Sequence, residues 1–157
     1  MHLTSPASRL LAATVFALLL AATLPSPSRA EDVNLACLGG EHLNDGDLAR
    51  GATVVVIWAS WSPRSRDIAE RVNALTGRWG GRARVMTVSF QEDRSVVERF
   101  MAGKRFGAPV CLDPDGSFSR KYNVANLPGL VVIKDGQVAY HGKLSEDSDQ
   151  ILGGLLH

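Results

Sequence analysis

Six consecutive residues, Thr53-Val54-Val55-Val56-Ile57-Trp58, constrain this chain most. β-Branched side chains suit a pleated strand, and a run with no polar alternation needs apolar cover on both faces. The spacing therefore predicts a central strand between two layers. A helix start comes next along the chain, with Ser62 as N-cap and Pro63 at the first helical position. Ile68, Val72, Leu75 and Trp79 then fall on one face of a helix, which Gly80-Gly81 ends.

The remaining elements obey the same logic. Val33 to Leu38 reads as a short strand, Gly39-Gly40 as a turn, and Leu43 to Leu48 as the returning arm of an N-terminal hairpin. Val85–Phe90 is a second strand, and Asp93 to Phe106 a helix with Val96, Val97, Phe100 and Met101 inward. Val110-Cys111-Leu112 is a short extended piece before the turn Asp113-Pro114-Asp115-Gly116, and Phe118 to Tyr122 a brief helix. Leu130–Lys134 and Gln137–His141, joined by Asp135-Gly136, carry the strongest local hairpin signal. A last helix spans about Ser145 to Leu156. Strand-helix-strand units need parallel pairing with right-handed crossovers, whereas the Asp135-Gly136 hairpin needs an antiparallel end. The expected fold class is therefore α/β: a central mixed β-sheet flanked by helices, in one domain.

The first thirty residues stand apart from this fold. Arg9 precedes an uncharged run from Leu10 to Leu24, Pro25-Ser26-Pro27 breaks it, and Ser28-Arg29-Ala30 supplies small residues for a peptidase. This pattern reads as a secretory signal peptide over residues 1–30, leaving a domain at 31–157. The run is shorter than the roughly 20 apolar residues a membrane span needs, so no span is expected after cleavage. The protein is expected to be periplasmic or otherwise exported, where disulfides persist. The whole chain has 17 Lys plus Arg against 16 Asp plus Glu, net +1. That balance gives no electrostatic case for nucleic acid.

A family resemblance enters at the helix start. Val54-Val55-Val56-Ile57-Trp58-Ala59-Ser60-Trp61 followed by Ser62-Pro63-Arg64-Ser65 resembles the active-site stretch of thioredoxin-like proteins. With its N-terminal hairpin, the chain is most similar to exported thiol-disulfide oxidoreductases of the TlpA and ResA type. Asp113-Pro114-Asp115-Gly116, Tyr122-Asn123-Val124, Leu127-Pro128-Gly129 and Asp135-Gly136 fall where that family has counterparts. The resemblance implies a thioredoxin-like fold, a cis-proline at Pro128 beside the active-site helix, and at Glu92 an acidic residue that tunes a buried thiol.

At the positions of the family's Cys-x-x-Cys thiols stand Ser62 and Ser65. Thiol-disulfide exchange needs a thiolate and a resolving thiol. A helix N-terminus contributes at most about 2 kcal/mol, too little to make a serine alkoxide near neutral pH. Dithiol chemistry is thus not expected at this motif, and no catalytic residue is assigned to it. Serine hydrolysis would need a His base, and none of His42, His141 or His157 has a context tying it to Ser62 or Ser65. The expectation is a redox-inactive motif in a non-catalytic exported member that binds or scaffolds a protein or extended peptide in a groove at Trp61 and Pro128. The alternative is a thiol-disulfide oxidoreductase, either working naturally through Cys37 and Cys111 or being the Cys-to-Ser inactivated form of a TlpA-like reductase.

Cys37 and Cys111 lack Cys-x-x-Cys spacing, and three readings stay open for them: a structural disulfide, two buried apolar thiols, or a redox-active pair. A bridge requires the two Cα atoms within ~7 Å. Trp58 reads as core, and Trp61 as a recognition aromatic or a cover over the sheet end. Pro63 and Arg64 open the helix. Arg64 is either solvated or paired with an incoming carboxylate or phosphate. Glu92 reads as a solvated partner of Asp93 or as the family's acidic residue without its thiol. Asn126, Leu127, Pro128 and Gly129 would shape the groove. No metal is expected, since there is no His pair at helical spacing and Asp113-Asp115-Gly116 lacks the remaining calcium ligands. No cofactor is expected either, because no Gly-rich loop follows the buried strand.

Overall fold

The computed structural model describes residues 32–157; the signal peptide expected over residues 1–30 lies outside them. The chain runs β1 (Asn34–Ala36), β2 (His42–Asn44), α1 (Asp45–Leu48), β3 (Ala52–Trp58), a 3-10 turn (Pro63–Ser65), α2 (Ile68–Trp79), β4 (Arg84–Phe90), α3 (Arg94–Met101), β5 (Val110–Asp113), α4 (Ser117–Lys121), β6 (Gly129–Lys134), β7 (Gln137–Lys143) and α5 (Ser148–Leu155). The fold is the thioredoxin-like α/β arrangement, a central mixed sheet flanked by helices and preceded by a hairpin.

Two sheets carry it: the two-stranded β1-β2 hairpin and a five-stranded sheet in the order β5-β4-β3-β6-β7. β3 pairs parallel with β4 and antiparallel with β6, so the Thr53–Trp58 run does lie at the centre. Its residues are almost fully buried, and they alternate between two apolar clusters. Val54, Val56 and Trp58 pack with Ile68, Val72, Leu75 and Trp79 of α2, Val97 of α3 and Leu152 of α5. Val55 and Ile57 point the other way, onto Val33, Leu35, Cys37 and Leu43 of the hairpin, Leu48 of α1, and Phe118 and Tyr122 near α4. The hairpin is thus a lid on one face of the sheet, and α2 packs against the other.

At the Asp135-Gly136 turn both residues take positive φ, 47° and 79°, as the tight connection requires. Several elements differ from the sequence expectation: the helix expected from Pro63 opens as a 3-10 turn and α2 proper starts at Ile68, and the last helix starts at Ser148 instead of near Ser145. The helix expected to reach Phe106 stops at Met101: Ala102 leaves helical geometry and Gly103 takes φ +76°. The exit brings Phe106 back to stack on Trp58, with ring centroids 5.6 Å apart. The returning arm of the first hairpin is only three residues of strand, then the helical turn α1, capped by Asn44 Oδ1 accepting from Asp47 N at 3.0 Å.

Candidate functional site: a bridged cysteine pair and the α2 entrance

Cys37 follows β1, and Cys111 sits in β5, 74 residues away in sequence. An isolated antiparallel bridge pairs the two residues, and Leu38 N donates to Val110 O at 2.8 Å beside them. Their Cα atoms are 3.7 Å apart and their sulfurs form a disulfide. Both residues are almost fully enclosed, Cys37 at 1% exposure and Cys111 at 0%. Val88 and Tyr122 belong to the same apolar cluster. Burial pushes the Tyr122 phenol above its ordinary value, and the carboxylate of Asp45 adds to the shift. Arg94, the first residue of α3, donates from Nη2 to Cys37 O at 3.5 Å and pairs with Glu98 at 3.2 Å.

This pair corrects the expectation built on Ser62 and Ser65. The chain is not one whose sulfurs have simply been replaced by serine, and "redox-inactive motif" does not describe it. Nor does the reading as a non-catalytic binding or scaffolding member stand. An intact Cys37–Cys111 disulfide is present, and a disulfide can accept two electrons from thiols. The physical reason for the correction is topological. A Cys-x-x-Cys pair is visible as spacing, whereas these sulfurs meet only because the hairpin folds back across β5.

The serines themselves lie elsewhere, at the entrance to α2. Ser62 is buried, makes no side-chain cap, and donates from Oγ to Leu127 O at 3.5 Å. Ser62 does hold the N-cap position, that of the 3-10 turn with Pro63 first inside it, but its hydroxyl makes this link to the Leu127–Pro128 segment, whose peptide bond is cis, instead of a capping bond. Ser65 is completely buried, and its Oγ has no hydrogen-bond partner among the described residues. Trp61 is 62% exposed, Arg64 is exposed, and Trp58 is core. Trp61, Ser62, Pro63, Arg64, Ala125 and Leu127 line an open groove of about 420 Å³. Gly129 lets the chain close in behind it: an added Cβ would meet Asn126 O and Val124 Cγ1, each at 2.9 Å.

Glu92 is neither solvated nor paired with Asp93. It is 6% exposed, and its carboxylate accepts from Ser60 N at 2.9 Å, from Ser89 Oγ at 2.9 Å and from Ser60 Oγ. Sequence reasoning missed its partners, Ser60 and Ser89. Both stand near the C-terminal ends of β3 and β4, and small hydroxyl residues at adjacent strand ends beside a lone acid were the available signal. Among the described residues, no group of three or more His, Cys, Asp or Glu side chains is placed to hold a metal ion. No helix among them is long and apolar enough to cross a membrane.

The sequence pattern of the AhpC/TSA family matches residues 28–141. The chain belongs to the AhpC/TSA family. No curated protein sequence matches this family member. Several solved structures share its fold. The pneumococcal exposed lipoprotein thioredoxin Etrx1 from Streptococcus pneumoniae TIGR4 superposes with TM-score 0.69 at 20% identity, over 80% of this chain and 98% of that one. A thiol-disulfide oxidoreductase from Bacteroides fragilis gives 0.67 at 18% identity, over 81% and 98%. StoA from Bacillus subtilis gives 0.65 at 17% identity, over 80% and 96%. At such identities the likeness is one of fold.

Proposed function

We propose that this AhpC/TSA family member is an exported thiol-disulfide oxidoreductase whose redox group is the Cys37–Cys111 pair, in a single domain over residues 31–157. One observation carries the reading: the chain holds a bridged cysteine pair inside a thioredoxin-like fold. Support comes from the B. fragilis relative in structure, itself a thiol-disulfide oxidoreductase. Export is supported by the charge and apolar pattern of residues 1–30 and by the exposed lipoprotein Etrx1.

In one turnover a substrate thiolate attacks one sulfur of the bridge, and the other sulfur leaves as a thiolate. The second substrate thiol then attacks the mixed disulfide. The substrate gains a disulfide, and Cys37 and Cys111 hold the two electrons and two protons it gave up. The groove of Trp61, Pro63, Arg64 and Leu127, with Pro128 buried beside it and not lining it as the sequence suggested, would hold an extended segment of the protein substrate. There the exposed indole offers apolar area, and Arg64 offers a cation to an acidic side chain.

The test is a single-turnover assay with oxidised protein and a reduced dithiol peptide. One peptide disulfide is expected to form for each protein bridge opened, and none with the Cys37→Ala/Cys111→Ala variant. Peptide oxidation at the same rate with that variant overturns the reading.

A further inference from the structure

Exchange demands that a thiolate reach a sulfur atom, yet Cys37 is 1% and Cys111 0% exposed. Some part of the molecule must move before any thiol attacks. The two sides of the bridge are held very differently. Cys111 is fixed in β5, which pairs with β4 in continuous register from Thr87↔Val110 to Phe90↔Asp113. Cys37 directly follows β1, whose two-stranded sheet is separate from the main one. Around it the hairpin is joined to the body by the Leu38 N to Val110 O bond, the Arg94 contact at 3.5 Å, and the apolar side chains Val33, Leu35 and Leu43. Asp45, at the start of α1, fastens the foot of this hairpin. Its Oδ2 accepts from Val33 N at 2.7 Å, and its Oδ1 pairs with Lys121 Nζ of α4 at 3.0 Å.

We propose that the β1–β2 hairpin is the gate of the Cys37–Cys111 bridge and that Asp45 is its latch. While the bridge is intact Cys37 stays tethered to β5, so the rest of the hairpin lifts about that tether. It gives up its apolar packing and the Leu38–Val110 bond while the five-stranded sheet stays folded, and only the lifted form offers a sulfur to a thiol. The inference rests on the exchange reading above and specifies how that site is controlled. A shielded bridge of this kind admits a substrate at the frequency of hairpin opening, so substrate contacts that favour the lifted hairpin set the rate. Local openings of this type have lower free energies than global unfolding.

The experiment follows reduction of the oxidised protein by dithiothreitol, which becomes a cyclic disulfide as the two cysteines gain its electrons and protons. Three proteins are compared: wild type, Asp45→Ala, and Asp149→Ala. Asp149 on α5 is a matched control. Its side chain is 44% exposed against 43% for Asp45, and it too makes an ion pair and a hydrogen bond, to Arg78 and Trp79, on the opposite face of the sheet. Asp45→Ala is expected to accelerate reduction about tenfold, from the loss of one hydrogen bond and one partly exposed ion pair. Asp149→Ala is expected to reduce at the wild-type rate.

An unchanged rate in Asp45→Ala overturns the proposal, and so does equal acceleration by Asp149→Ala, which would mean that the whole domain opens. Should Asp45→Ala fail to fold, amide hydrogen exchange on wild type decides. The Leu38 amide must exchange at least tenfold faster than the Val88 amide of β4, and equal rates sink the gate. Because dithiothreitol reads the bridge directly, this result is independent of whether a peptide substrate is oxidised. The gate and the enzyme reading can therefore fail separately.

Discussion

Glu92 is the most closely held polar group of the α2 entrance. A carboxylate this buried persists only where donors replace its water, and Ser60 and Ser89 supply them. Removing the acceptor would orphan Ser60 N and the Ser89 hydroxyl together. Glu92→Ala is therefore expected to lower unfolding free energy by about 2–3 kcal/mol in a urea titration. Glu92→Gln, which keeps one acceptor oxygen, should lose about 1 kcal/mol. Tyr122 gives a pH-dependent counterpart on the hairpin side. Its folded pKa lies above the ordinary value near 10.0, so the unfolded chain ionises first as pH rises. Its contribution is intact below that value and is lost as pH climbs from there towards the raised folded pKa. Urea midpoints at pH 9 and 11 should show this loss, and Tyr122→Phe should show less of it.

At the scale of elements, turns and strand ends are where local chemistry decides geometry. The β6–β7 connection depends on two successive positive-φ residues, and glycine adopts that conformation without a Cβ penalty. At Gly136 an added Cβ meets only Ala49 Cα at 3.6 Å, an ordinary contact, so the cost of a side chain there is backbone strain alone. Gly136→Ala is expected to cost about 1 kcal/mol, measured as a shift in denaturant midpoint with unchanged slope. The elements with clear periodicity were legible in the sequence: β3 from its unbroken apolar run, α2 from Ile68, Val72, Leu75 and Trp79, and the β6–β7 hairpin from Asp135-Gly136. α3 was overread because Phe106 continues its apolar spacing, although that ring serves the Trp58 stack after the chain has left the helix. Glu92 was misplaced for a related reason: an acid followed by an acid looks solvated until the neighbouring strand ends are known.

For the whole molecule, the disulfide does two things at once. It ties the N-terminal hairpin to the far edge of the sheet, and it stores a pair of oxidising equivalents. The bridge spans 74 residues of sequence, so it removes much conformational freedom from the unfolded chain. Reducing it, or replacing both cysteines by alanine, is expected to lower stability by about 4 kcal/mol on loop-entropy grounds. Thermal unfolding of oxidised and reduced protein checks this, and a loss below about 1 kcal/mol would mean that hairpin packing alone holds the lid. The same tie makes redox state and hairpin position interdependent, because without it the hairpin is held by apolar contacts, a few hydrogen bonds and the Asp45–Lys121 ion pair at its foot.

Local residue patterns were enough to establish the layered α/β fold, the position of the central strand, and the serines just ahead of α2. Each of these is written in neighbouring residues, through strand burial, helical periodicity or turn chemistry. The folded chain alone makes Cys37 and Cys111 partners, sets Ser60 and Ser89 around Glu92, and brings Ser62 to Leu127. Those contacts join residues that local spacing does not relate. They exist because the hairpin, the strand ends and the cis Leu127–Pro128 segment are brought together by the packing of the sheet.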